Sequence, residues 1–161
     1  MAMGVPINFA NFLQTVPAFA EFSPQELEVL EQAMVVGKYP DGYEFIGEER
    51  RARNMFLIVE GQVIATHRRS KVRGLDVMER LGPGDIFGLV ALIDHRPGWA
   101  TYLAAGPVTA AYLPANAFEL LFTANAPLAY RFQSLIATQL VRDLRACASD
   151  LMAAIDETPK G

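Results

Sequence analysis

Between Gly82 and Thr101 the chain carries four glycines and two prolines around an apolar run, and this stretch holds the residues best suited to ligand chemistry. Gly82 and Gly84 can take positive φ, and Pro83 fixes its own φ while removing a backbone donor. Ile86 and Phe87 are expected to enter a core, and Gly88 permits a sharp reversal. Leu89 to Ile93 is long enough for about one helical turn. A glycine opening a short helix turns several backbone N–H groups the same way, which is the chemistry of an anion cradle. The same residues fit a strand–turn–strand corner equally well.

Little else offers reactive chemistry. The two histidines, His67 and His95, stand far apart without metal-ligand spacing, and no Ser/His/Asp set or P-loop is present. No catalytic residue, metal or obligate cofactor is therefore expected, and the chain is not read as an enzyme. Cys147, the single cysteine, has no partner for an intrachain disulfide, which suits a reducing cytoplasm. A net charge of −4 argues against nucleic acid as the main partner. The basic run from His67 to Arg73 falls at an expected hairpin tip. It is read as a solvated turn, with docking of an acidic partner or nucleic acid as the alternative.

The Gly82–Thr101 segment resembles the phosphate-binding cassette of the cyclic nucleotide-binding domain family, which includes catabolite activator proteins and regulatory subunits of cyclic-AMP-dependent kinase. That cassette reads Phe-Gly-Glu-Leu-Ala-Leu and, a few residues on, Pro-Arg-Ala-Ala-Thr. Phe87-Gly88-Leu89-Val90-Ala91-Leu92 and Pro97-Gly98-Trp99-Ala100-Thr101 match it in register without a gap. Val59-Glu60-Gly61-Gln62-Val63 also resembles the strand, Glu-Gly, strand pattern of the family. The resemblance runs from about Phe12 to the end of the C-terminal helix. It implies ligand contacts at Gly88, Leu89, Val90, Ala91, Gly98, Trp99, Ala100 and Thr101, with a cyclic nucleotide or related nucleotide as ligand.

Two of these positions depart from the pattern. Leu89 stands where the family has the glutamate that bonds the ribose 2′-hydroxyl, and Gly98 where it has the arginine that pairs with the cyclic phosphate. Trp99 replaces a small or hydroxylated residue, and is read either as a plug of the pocket or as a ring that stacks on an unusual base. Losing one partner of a buried charge pair costs about 2–5 kcal/mol, and facing a hydroxyl with an apolar group roughly 1–3 kcal/mol. Together these changes turn a micromolar site into a millimolar one or worse. Arg96 is the candidate substitute phosphate contact. In the family the base is often touched from the long helix, which a gapless match puts near Asp143 and Leu144.

The surrounding elements follow from periodicity. Phe9 to Val16 reads as a short amphipathic helix. Ser23-Pro24-Gln25-Glu26 carries an N-cap, a proline at the first helical position and a capping-box glutamate. From Val35 the pattern turns to short strands separated by turns: 35–39, 43–46, 55–60, 62–69, 75–81, 99–105 and 108–113. The uncharged span from Pro97 to Phe118 is broken by Gly106-Pro107 and Pro114, so it reads as two buried strands rather than a membrane span. Asn116 is expected to cap a short helix through Phe122, and Asn125-Ala126-Pro127 to open a long one. Leu128, Phe132, Leu135, Leu140, Leu144, Leu151 and Ile155 trace its apolar stripe, on which Cys147 is read as a buried packing residue.

Strands at this spacing fit a sandwich, roll or barrel; the resemblance implies an α+β, mainly β architecture, an eight-stranded antiparallel β-roll, jelly-roll-like, with short N-terminal helices and a long C-terminal helix. One domain is expected over 1–161, with helices in 7–34, the roll in 35–114 and C-terminal helices in 115–156. No helix-turn-helix domain is expected, nor a signal peptide, since no Lys or Arg precedes Lys38. The long helix exceeds what one small roll covers, which points to a homodimer through that helix. Three functional readings stand. The first is a cytoplasmic sensor or regulatory module with a degenerate pocket, acting through dimerisation, protein contacts or a non-standard ligand. The second is a true cyclic-nucleotide sensor using Arg96 and the backbone amides of Val90 and Ala91. The third is a partner-binding scaffold without a ligand.

Overall fold

A computed structural model describes residues 8–67, 76–98 and 100–157. Helix α1 (Phe9–Thr15) and a 3-10 turn (Pro17–Phe19) lead to α2 (Pro24–Ala33). The start of α2 is the expected capping box: the Ser23 amide donates to Glu26 Oε2 at 2.7 Å, and the Glu26 amide donates to Ser23 Oγ at 3.2 Å.

Strands β1 (Val35–Tyr39), β2 (Glu44–Ile46), β3 (Asn54–Glu60), β4 (Val63–His67), β5 (Asp76–Leu81), β6 (Ile86–Phe87), β7 (Thr101–Ala104) and β8 (Val108–Pro114) follow. They form two antiparallel four-stranded sheets, ordered β1-β8-β3-β6 and β2-β7-β4-β5. This is the α+β roll that the family resemblance implies. β3 shows why its sequence is apolar without a break. Met55, Leu57 and Val59 pack against the helices, while Phe56 and Ile58 fill the roll, so both faces are buried. The uncharged 97–118 span supplies β7 and β8. Among the described residues no helix is long and apolar enough to cross a membrane.

After β6, α3 (Leu89–Asp94) opens on Gly88 at φ 82°, the reversal expected there. A Cβ on Gly88 would lie 2.7 Å from the Asn54 carbonyl oxygen and 2.9 Å from Ile46 Cδ1, so only glycine fits. α4 (Ala115–Ala124) begins slightly earlier than expected, with Pro114 at the cap position. Asn116 lies inside it, its Oδ1 accepting from the Ala117 amide at 2.9 Å, so it is not the cap.

Asn125 does cap α5 (Ala126–Asp156), accepting from the Leu128 amide at 3.1 Å. At 1.5 Å per residue its 31 residues span about 46 Å. Its first turns are core: Leu128 and Phe132 are fully buried, and Phe132 meets Phe118 edge-on at 5.2 Å. Arg131 Nε reaches Glu26 Oε2 at 3.5 Å, tying α5 to α2. Farther on, Leu140, Leu144, Leu151, Met152 and Ile155 are exposed. Cys147 is exposed as well, which corrects the reading of it as a packing residue. The apolar stripe continues past the part of the roll able to cover it.

Candidate ligand cavity

A cavity of about 280 Å³ opens between the roll, the α3 segment and α5. The roll contributes Ile46, Met78, Glu79, Leu81, Ile86, Phe87 and Tyr102. The cassette contributes Gly88, Leu89, Val90, Asp94, Arg96, Pro97 and Gly98, and α5 contributes Gln139, Asp143, Cys147 and Asp150. The hollow among α3, α4 and α5 is larger, about 410 Å³, but apart from His95, Glu119 and Gln133 its walls are apolar. Polar chemistry is therefore concentrated in the smaller cavity.

The structure brings many of the sequence candidates together. Gly88, Leu89, Val90 and Gly98 line the cavity, Arg96 joins them, and Asp143 faces them from α5. Leu144, 71% exposed, lies outside the lining. Ala91 contributes backbone to α3, and Ala100 is buried away from the lining. Thr101 braces the framework instead. Its Oγ1 accepts from the Glu48 amide at 3.0 Å, and its carbonyl accepts from the buried Thr66 hydroxyl at 3.3 Å. Trp99 and the basic residues from Arg68 to Arg73 lie outside the described residues. His67 pairs through Nδ1 with Glu48 Oε1 at 2.7 Å.

Position 98 is occupied by backbone bonding. The Gly98 amide donates to the Arg50 carbonyl at 3.1 Å, and the Gly98 carbonyl accepts from the Glu49 amide at 3.1 Å. The charged loop after β2 thereby clamps the cassette, and Gly98 has neither a side chain nor a free N–H for the cavity. Leu89, 2% exposed, shares the core formed with the helices as well as the cavity wall. Among the described residues, the only Lys or Arg lining the cavity is Arg96. Its backbone amide donates to Asp94 Oδ1 at 2.9 Å, which braces the turn that follows α3.

The opposite wall is acidic. Glu79, Asp143 and Asp150 line it. Partial burial pushes the Glu79 carboxyl above its usual range, and the negative charges of Asp143 and Asp85 push the same way against the pull of Arg142. Burial, reinforced by Glu79 and Asp143, drives the Tyr102 phenol up to about 12, so it stays neutral at physiological pH. Gln139, Asp143, Cys147 and Asp150 share one helix face through spacings of four, four and three. That signal is legible in the sequence. Glu79 and Tyr102 carry none, because their place depends on how the strands pair across the roll.

Comparison with known proteins closes on one group. The family model described as cyclic nucleotide-binding domain matches residues 36–125. The cAMP-dependent protein kinase regulatory subunit of Mycosarcoma maydis is 35% identical over 98 residues, covering 61% of this chain and 18% of that protein. The chain thus spans less than a fifth of that relative. A cyclic nucleotide-binding domain from Methylobacillus flagellatus superposes with a TM-score of 0.77 at 21% identity, covering 90% of this chain and 81% of that one. The regulatory subunit of a cAMP-independent protein kinase A from Trypanosoma brucei gives a TM-score of 0.69 at 20% identity, covering 82% of this chain and 44% of that one. A triple variant of that subunit, with Glu→Ala, Thr→Arg and Val→Ala changes, binds cAMP in its A site.

Proposed function

This chain belongs to the cyclic nucleotide-binding domain family, and from that premise we propose that it is a regulatory module whose cavity does not read cyclic AMP in the usual way. The observation that carries this reading is the state of Gly98. A cyclic phosphate is an anion that needs a guanidinium or several N–H donors. Gly98 offers no side chain, and its amide is bonded to Arg50. Leu89 gives the ribose an apolar surface, and Glu79, Asp143 and Asp150 add negative charge to the far wall. The trypanosomal relative supports the reading, since a cAMP-independent subunit there has a cAMP-bound variant that includes a change to arginine.

The output of the module runs through α5. That helix walls the cavity with Asp143 and Asp150, and on its distal half it exposes Leu140, Leu144, Leu151 and Ile155. We read this apolar face as the contact between two copies in a homodimer. A ligand that draws α5 toward the roll then changes the face offered to the second copy. Isothermal titration with cyclic AMP and cyclic GMP tests the pocket; submicromolar binding by the wild type overturns the degenerate reading.

One observation favours a second reading. Arg96 lines the cavity on the cassette side, so a true sensor would use its guanidinium in place of the missing one. In that case Arg96→Ala abolishes nucleotide binding, and unchanged affinity rules the sensor out.

A further inference from the structure

The apolar stripe of α5 and the hollow among α3, α4 and α5 form one surface. Val141, Leu144, Ala148, Leu151 and Ile155 recur at spacings of three and four, the seam of a two-helix contact. Ala137 continues that seam toward the roll and also lines the hollow, with Leu140 beside it. Leu140, Val141, Leu144, Leu151, Met152 and Ile155 are between 46% and 71% exposed, which leaves on the order of 700 Å² of their surface in water, against the roughly 800 Å² per partner that a stable interface buries. Two crossing helices cover only the facing part of that surface. The hollow supplies the remainder: Leu92, Ile93, Phe118, Phe122 and Ile136 wall it, and Ile93 among them is 42% exposed.

We propose that two copies join antiparallel, the distal half of each α5 lying over the hollow of the other. The proposal rests on the homodimer reading and gives it an orientation. The pattern of side-chain sizes along the seam carries it. In an antiparallel register Ala137 of one copy meets Ile155 of the other, Val141 meets Leu151, and Leu144 meets Ala148. Each alanine then faces a large residue, as close packing requires. A parallel in-register pair sets Ala137 on Ala137 and Ala148 on Ala148, which opens a gap at each. It also brings to the level of the hollow the part of the second helix where Ser134 interrupts the seam, whereas antiparallel pairing brings Leu151 and Ile155 there. Leu89 and Val90 of α3 line the ligand cavity, while Leu92 and Ile93 line the hollow. The second copy therefore rests on the same short helix that walls the cavity, so ligand binding and dimer formation act on one element.

The test is disulfide mapping in the full chain on a Cys147→Ser background, with sedimentation velocity as the measure of association. Ala137→Cys and Ile155→Cys proteins, each carrying one cysteine, are mixed and oxidised. A disulfide between the two different proteins is expected, because antiparallel pairing brings positions 137 and 155 together and holds the two positions 137 about 27 Å apart along the helix axis. Ile93→Glu, at an exposed position on α3, should raise the dimer Kd about tenfold or more without altering thermal unfolding. Disulfides that join 137 to 137 or 155 to 155 mark a parallel pair and overturn the proposal. A dimer that forms no disulfide between 137 and 155, or one indifferent to Ile93→Glu, overturns it as well. A wild type that sediments as a monomer at micromolar concentration overturns instead the homodimer reading on which it rests.

Discussion

The Gly98 amide donates to the Arg50 carbonyl at 3.1 Å, so the loop after β2 holds the cassette at the position where the family carries its phosphate-binding arginine. That bond uses the backbone only and leaves the side-chain position open. A Cβ there would meet Ile46 Cγ2 at 3.4 Å, at the near edge of ordinary contact. Gly98→Arg should therefore fold, changing stability by no more than about 1 kcal/mol. Urea unfolding checks this; a loss of several kcal/mol would mean that the clamp excludes any side chain.

Glu26 acts twice, closing the capping box of α2 and meeting Arg131 of α5. Glu26→Ala removes the side-chain half of the box and a partly exposed ion pair. The expected loss is about 1–2 kcal/mol, or roughly 2–8 °C in Tm for a chain of this size. Calorimetry of Glu26→Ala and Arg131→Ala separates the two. The Arg131 change should have the smaller effect.

Tyr102 makes a pH prediction. Its phenol titrates near 10 in the unfolded chain and is pushed up to about 12 in the fold, chiefly by burial. Between those values the folded state keeps a proton that the unfolded state has released. Stability therefore falls as pH rises from 10 to 12, by on the order of 2 kcal/mol, and is unaffected by this group below pH 10. Unfolding measured across that window should be flatter for Tyr102→Phe than for the wild type. Parallel curves would contradict the placement of the phenol.

Leu144 is 71% exposed on the distal half of α5, yet it lies on the helix's apolar stripe. If that stripe joins two copies, Leu144→Glu should convert a dimer into a monomer while leaving the unfolding of the roll unchanged. Sedimentation velocity at micromolar concentration reads the difference. A monomeric wild type contradicts the dimer.

The roll is legible in the sequence because its signals are local. Ser23 and Glu26 announce a helix start, and the Val35–Tyr39 strand and the Asn125 cap are readable from residue type and spacing. Gly88 is legible for a similar reason, since a sharp reversal before an apolar turn needs positive φ. The acidic wall is not. Glu79 and Tyr102 meet Asp143 only once β5, β7 and α5 assemble, and no sequence period links strands and a helix so far apart. Cys147 escapes sequence reasoning because helical spacing marks a stripe along the whole of α5, whereas the roll covers only its first turns. The bonding of Gly98 to Arg50 is equally hidden, being a backbone pairing between segments about fifty residues apart.

On the proposed reading, the missing guanidinium at position 98 separates this cavity from a cyclic-AMP site. The most direct test of this reading is parallel titration of the wild type and Gly98→Arg with cyclic AMP. Millimolar or undetectable binding by the wild type is expected, with a gain of about ten- to a hundredfold in Gly98→Arg, in line with a restored charge pair. Submicromolar binding by the wild type, or no gain in a folded Gly98→Arg protein, contradicts it.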